Sequence, residues 1–312
     1  MNTDWVEDRV VFESLTGSRV YGLDSPESDY DYRGVCIPPM RYFTGLYEFE
    51  QHESKDPDRT IFNIHKFFKL AMNNNPNILE LIFVEEKYIK FMAPIWERVI
   101  ANRLLFLSKK VKHTYCGYAY AQIKRIKSHK KWLLSPPDHK PERHEFGLRD
   151  NTFSADDYGM MASLEDKGGI KSLSDDVVQL YMKEKSFRNA LKTYQQYEDW
   201  KIHRNPKRAE LEAKYLFDTK YMGHTFRLLI QGKEILTTGT LNVHLKDEDI
   251  KLIQDIKTGK YEYEYLLGLA TDMINELDTL YYQSSLQYSP DINAISRLLE
   301  DIISDYCSDD EV

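Results

Sequence analysis

Residues 17–34 read GSRVYGLDSPESDYDYRG. A Gly-Ser pair opens the stretch, and Asp29 and Asp31, separated by Tyr30, begin eleven residues after Ser18. The segments around it, DRVVFESL (8–15) and YDYRGVCI (30–37), are rich in β-branched and aromatic residues and read as strands. Side chains alternate along a strand, so Asp29 and Asp31 share a face and Tyr30 takes the other. Two carboxylates on one face repel each other unless a cation lies between them. Hard oxygen ligands of this kind suit Mg²⁺ together with substrate phosphates. The loop ahead of them offers backbone N–H groups and the Ser18 hydroxyl, which can cradle phosphate oxygens.

Working outward, RTIFNI (59–64) reads as a third strand and HKFFKLAMNN (65–74) as a helix that NNNPN breaks. ILELIFVEEKYI (78–89) begins another helix. Beyond about residue 94 the pattern is helical, with apolar faces of period 3.6 over 95–107, 109–132, 176–202, 206–232, 246–257 and 261–284. PPDHKPERHEFG (136–147) is a polar loop, and 148–175 reads as loop or weak helix. The acidic end, SDYCSDDEV, reads as frayed. The expected fold class is α+β, a small mixed sheet with flanking helices followed by a mostly α-helical region. The domain boundary is expected near residue 95, giving 1–95 and 96–312.

The chain has 312 residues, an apolar fraction of 42% and an aromatic fraction of 13%, enough to build a core. Its formal net charge of −8 means that a nucleic acid would have to be held by a local basic patch. Cys36, Cys116 and Cys307 are far apart and odd in number, which argues against a disulfide framework or a cysteine zinc site. His139 and His144 lie in the polar loop without a second ligand cluster, so a loop is the better reading there than a metal site. The acidic start lacks the apolar core of a signal peptide, and no apolar run approaches the ~20 residues of a membrane span. The expected location is the cytoplasm.

The spacing GSxxxGxxxxxSDxD resembles the signature of the polymerase-β-type nucleotidyltransferase superfamily. That resemblance implies that Gly17 and Ser18 contact the triphosphate of an NTP and that Asp29 and Asp31 hold two metal ions, Mg²⁺ or Mn²⁺. It implies a third metal-binding carboxylate on a neighbouring strand, which activates the attacking hydroxyl. Asp58, just ahead of RTIFNIHKFF, has the expected context, and Asp56 is the alternative. Arg19 follows the motif's serine and either touches phosphate or caps the turn.

HKFFKLAMNNNPNILELIF, GYAYAQIKRIKSHKKW and DTKYMGHTFRLLIQGKEILTTGTLNV extend the likeness over roughly 10–245, to a bacterial and phage subfamily associated with RNA repair. It implies a template-independent nucleotidyltransferase. RNA is the favoured acceptor, either a tRNA or a broken 3′ end. Transfer to a protein, or nucleotide binding without turnover, are the alternatives. Residues 109–131 interleave Lys109, Lys110, Lys112, Lys124, Arg125, Lys127, Lys130 and Lys131 with Tyr115, Tyr118 and Tyr120, an electrostatic footprint for RNA or equally a solvated helix face. On the helix through 215–229, Tyr215, Met222, Phe226 and Leu229 form one face. Lys220, His224 and Arg227 fall roughly opposite, where they could hold the triphosphate across from Ser18.

Overall fold

A computed structural model describes residues 4–150 and 152–308. The chain forms two compact units, Met1–Ile126 with Thr219–Val312, and Lys127–Asp218.

The first unit is built on a five-stranded mixed sheet. Its strands are β1 (Val10–Thr16), β2 (Asp31–Cys36), β3 (Gln51–Lys55), β4 (Asp58–Asn63) and β5 (Ile89–Met92). Their order is β3-β4-β2-β1-β5. β1 runs antiparallel to both β2 and β5, whereas β2 and β4 are parallel. The α+β class read from the sequence is the observed one.

Two of the strands were not legible. β3, QHESK, is a polar edge strand that buries no side chain fully. β5 has four residues and follows an apolar helix without a glycine or proline between them. The helix expected to run on from Ile78 therefore stops at Phe83, where Val84 turns extended and the chain passes into β5.

The first-unit helices up to residue 126 are α1 (Ser18–Tyr21), α2 (Arg41–Thr44), α3 (Ile64–Met72), α4 (Pro76–Phe83), α5 (Glu97–Ala101) and the start of α6 (Lys110–Leu134). Asn63 and Asn75 cap α3 and α4 by accepting from His65 N at 2.8 Å and Asn77 N at 3.1 Å. The single helix expected over 95–107 is instead α5 between two 3₁₀ turns, Pro94–Trp96 and Arg103–Phe106.

The second unit contains the rest of α6, α7 (Ala155–Asp166), α8 (Asp175–His203) and α9 (Pro206–Tyr215). α7 lies where a loop or weak helix was expected. A Ser154–Asp157 capping box starts it. Returning to the first unit, α10 (Thr219–Thr238), α11 (Asp247–Lys257), α12 (Tyr263–Gln283) and α13 (Ile292–Ser308) complete the order. The helix expected over 206–232 is cut between α9 and α10, where Leu216 takes a φ of +63°. The expected fraying of 304–312 is corrected as far as Ser308, because α13 runs to that residue and buries Ile295 and Ile302. Residues 309–312 lie outside the described part.

The main core of the first unit joins the sheet to its helices. Val11, Phe12, Val35 and Ile37 of the sheet region meet Phe67 and Phe68 of α3, Ile78 and Leu79 of α4, and Leu228 and Ile235 of α10. α4 is buried on nearly every side, seven of its eight residues being buried. One of the seven is Glu80, and it is central to the site.

Candidate active site

β1 ends at Thr16, which pairs with Asp31 at the start of β2, and Thr16 Oγ1 donates to Asp31 O at 3.2 Å. Gly17 follows immediately with φ +81°, a conformation open to glycine at little cost. A Cβ there would lie 3.0 Å from Asp31 Oδ2, so the turn rests directly on that carboxylate. α1 begins at Ser18 and closes at Gly22, again left-handed. A Cβ on Gly22 would meet the His244 ring at 2.7 Å.

β2 and β4 bring the acids together. Tyr32 pairs with Arg59 in parallel register, so Asp58 lies beside Asp31 one step earlier, on the same face. Arg59 turns to the other face, where Glu13 accepts from it at 2.9 Å. Burial, then the Asp58 and Asp29 charges, push the Asp31 carboxyl above its ordinary range against the pull of Arg33 and Lys220. Asp29 and Asp58 are both exposed. Asp56 lies outside β4, in the connection from β3. The three acids are within electrostatic reach without closing to the 4.8 Å spacing of a tight ligand group. Among the described residues, His129, Glu212 and Asp218 of the second unit do so. Glu212 there already accepts from Arg204 Nε at 2.7 Å, and a metal would have to displace that guanidinium.

Arg19 is held by the segment that leads into β2. Its Nη2 donates to Ser28 O at 2.6 Å and its guanidinium lies 3.8 Å over the Tyr30 ring. It ties α1 to the segment that carries Asp29.

A pocket of about 120 Å³ opens beside α1, lined by Ser18, Tyr21, Leu23, Lys220, Gly223, His224, Arg227 and Lys257. The sequence reading thus brings Ser18, Lys220, His224 and Arg227 to one place. It missed Lys257, the last residue of α11, which looked like an ordinary basic helix end. Lys257 Nζ donates to Leu23 O at 3.4 Å, and burial with the Lys220 and Arg227 charges pushes its pKa down. A buried lysine pressed by neighbouring cations at a pocket marks a place where an anion is favoured. A larger cavity of about 380 Å³, beside His244 and Asp249, contains none of the residues singled out in the sequence.

Arg227 is only 2% exposed. Its Nη1 donates to Glu80 Oε1 and, at 2.9 Å, to Gln231 Oε1. Its Nη2 meets His224 Nδ1 at 3.1 Å, and its guanidinium lies 4.1 Å over the Tyr21 ring. Tyr21 OH donates to the second Glu80 oxygen at 2.5 Å. Glu80 was also missed. A lone acid in the apolar run ILELIF was the available signal, since a carboxylate inside a core requires partners.

Burial, then the Arg227 charge, push the His224 imidazole down to about 3. Its ordinary value is 6.5, so between pH 6.5 and 3 the unfolded chain holds a proton that the folded one lacks. Stability from this group is therefore complete above pH 6.5 and is lost as pH falls toward 3. The full span is worth on the order of 5 kcal/mol. Denaturant midpoints measured from pH 7 to pH 4 should fall steeply for the wild type and less for His224→Gln. Equal slopes would rule the assignment out.

On α6 the basic stretch is narrower than it looked. Lys109 is buried, with its ammonium 4.7 Å over Tyr288, Lys112 pairs with Asp278, and Tyr115 is in the core. Tyr118, Tyr120, Lys124, Arg125, Lys127 and Lys131 are the exposed members. No described helix is long and apolar enough to cross a membrane.

No solved structure matches the chain. An uncharacterized 38.9 kDa protein of Enterobacteria phage T4, from the nrdC-mobD intergenic region, is 28% identical over 131 residues. That similarity spans 38% of this chain and 38% of the phage protein. Residues 3–136 match the family model RlaP, described as the RNA repair pathway DNA polymerase beta family. The matched stretch holds the whole sheet, the Gly-Ser turn and the three acids but not Lys220 or Lys257, and over it the chain is similar to that polymerase-β-type family.

Proposed function

We propose that the chain is a metal-dependent, template-independent nucleotidyltransferase that moves an NMP from an NTP to an acceptor hydroxyl and releases pyrophosphate. The observation that carries this reading is Asp31. Its carboxylate is pressed between Asp58 and Asp29, touches the Gly-Ser turn, and has Lys220 acting on it from the pocket side. Hard oxygens whose mutual repulsion outweighs the nearby cations fit Mg²⁺ or Mn²⁺, with Asp29, Asp31 and Asp58 as the ligands. Bound there, a divalent pair would polarise the α-phosphate and stabilise both the entering and leaving oxygens.

The chain's own residues supply the rest. The Ser18 hydroxyl and the free N–H groups at the start of α1 hold phosphate oxygens. Lys220 and Lys257 balance the charge that grows on the departing pyrophosphate. Asp58 accepts the proton of the acceptor hydroxyl. Arg19 keeps Asp29 in place through Ser28 and Tyr30. The division of labour we favour has the sheet carry the metals and α10 and α11 complete the nucleotide pocket. RNA is the acceptor that the family description favours, and the exposed tyrosines and cations of α6 would engage it by stacking and phosphate contact.

The test is label transfer. Each α-labelled NTP would be offered with Mg²⁺ and total bacterial RNA, to wild type and Asp29→Ala in parallel. Label in nuclease-sensitive product, absent with the variant, supports the reading. Label that resists nuclease and yields to protease would assign a protein acceptor, and tight NTP binding without label a sensor. Lys257→Ala should raise the KM for NTP by about 10- to 100-fold, the worth of one charge-assisted contact. An unchanged KM would remove Lys257 from the pocket's role.

A further inference from the structure

His224 borders the pocket with its imidazole neutral at pH 7. A neutral imidazole has one donor and one acceptor nitrogen, and which is which decides what the ring can bind. Here the neighbour settles it. A guanidinium has five N–H donors and no acceptor, so Arg227 Nη2, at 3.1 Å from Nδ1, can only donate to it. Nδ1 is then the acceptor and Nε2 carries the proton. Among the described residues Nε2 has no hydrogen-bond partner, and it sits on the side of the ring away from Nδ1. Arg227 itself cannot swing to relieve this arrangement, being held by Glu80 and Gln231 and stacked on Tyr21.

We propose that Arg227 is a positioning residue whose work is to lock His224 in the Nε2–H tautomer, so that the pocket beside Ser18 presents an uncharged donor to a phosphate oxygen of the bound nucleotide. The proposal rests on the nucleotidyl-transfer reading of that pocket, and it changes the role of Arg227. The guanidinium is too enclosed to touch phosphate and acts through the imidazole instead. A donor without charge has a use among two lysines. It adds a hydrogen bond to the polyphosphate without adding to the cation repulsion that already depresses Lys257. It also keeps its proton at any physiological pH, so its contact with phosphate does not titrate away. Glu80 and Tyr21 extend the lock to α1 and α4, so the same buried group that fixes the imidazole also fixes the helix carrying Ser18.

The decisive measurement uses the wild-type chain, labelled with ¹⁵N-histidine, with the His224 signals identified by their loss in His224→Gln. Long-range ¹H–¹⁵N correlations at pH 7 should show Nε2 protonated and Nδ1 bare, a pattern retained to pH 5. Addition of inorganic pyrophosphate, without acceptor or catalysis, should shift the Nε2 signal. A protonated Nδ1, a mixture of tautomers, or an Nε2 signal unmoved by saturating pyrophosphate would overturn the proposal. Arg227→Lys keeps a cation for Glu80 but has a single nitrogen where Arg uses two, one for Glu80 and one for Nδ1, and should release the imidazole into a tautomer mixture. An unaltered pattern in that variant would also overturn it. Should it fail to fold, the wild-type spectra decide alone. These readouts are independent of label transfer. A chain with the expected spectra and no transfer would defeat the enzymatic reading and leave the lock standing, and the reverse result would do the opposite.

Discussion

Asp31→Asn should lower nucleotidyl transfer by about 10³-fold or more while leaving the fold intact. Loss of a single transition-state donor costs about 10²- to 10³-fold in well-studied cases, and a residue in direct contact with a metal should cost no less. The structural side of the prediction is the more telling one. Burial and the Asp58 and Asp29 charges raise the Asp31 carboxyl above its ordinary range. A group raised in the folded state contributes stability only while protonated, and that contribution disappears as pH rises through its folded value. At neutral pH the ionised Asp31 is thus a source of strain, and an amide there removes a like charge. Without metal, the variant should melt at the same temperature as the wild type or above it. With Mg²⁺ the order should reverse, because a ligand bound only by the folded state stabilises by mass action and the variant binds it less well. Thermal midpoints with and without Mg²⁺ give the answer alongside the activity. An inactive variant that melts well below the wild type in both conditions would make Asp31 a structural residue and withdraw the metal site.

The site's front half was readable because it depends on local rules. Gly17 is called for by a left-handed turn, and Asp29 stands two residues before Asp31, the start of β2, close enough for its charge to act on that carboxylate. Asp58 needed one more step, the parallel register of β2 and β4, which no local pattern encodes. The back half depends on long-range packing. Lys257 comes near Ser18 only because α11 packs on α10, and its pairing with the Leu23 carbonyl spans 234 residues. Arg227 has the opposite history. Helical spacing set it on a polar strip with Lys220 and His224, and that grouping is observed. Its burial could not be read from that spacing, because the charge that lets Arg227 stay inside comes from Glu80, 147 residues away. The strands that escaped notice, β3 and β5, are sheet edges. An edge strand buries little and is short, so the alternation that betrays a strand is weakest there.

Glu80→Ala should be the most damaging single change to stability. Glu80 is 6% exposed and its two oxygens serve different partners, Arg227 on one side and the Tyr21 hydroxyl on the other. Removing it leaves a guanidinium in the core with Gln231 and His224 as its remaining hydrogen-bond partners, neither of them charged. Breaking one side of a buried pair in this way costs about 3–5 kcal/mol, a third or more of the stability of a typical domain. For a unit of this size the melting temperature should drop by on the order of 10 °C. Glu80→Gln should cost less, since the amide oxygen still accepts from Arg227. The double change Glu80→Met with Arg227→Met should recover much of the loss, because two packed apolar side chains leave no charge without a partner. A double-mutant cycle then separates two roles that the single variants confuse. If the double variant is stable and yet binds nucleotide poorly, the Glu80–Arg227 pair is kept for the pocket and not for the fold, since an apolar pair fills the core without orienting His224 or Tyr21. If it is stable and binds nucleotide as the wild type does, the pair only balances charge, and the donors around Ser18 owe their arrangement to something else.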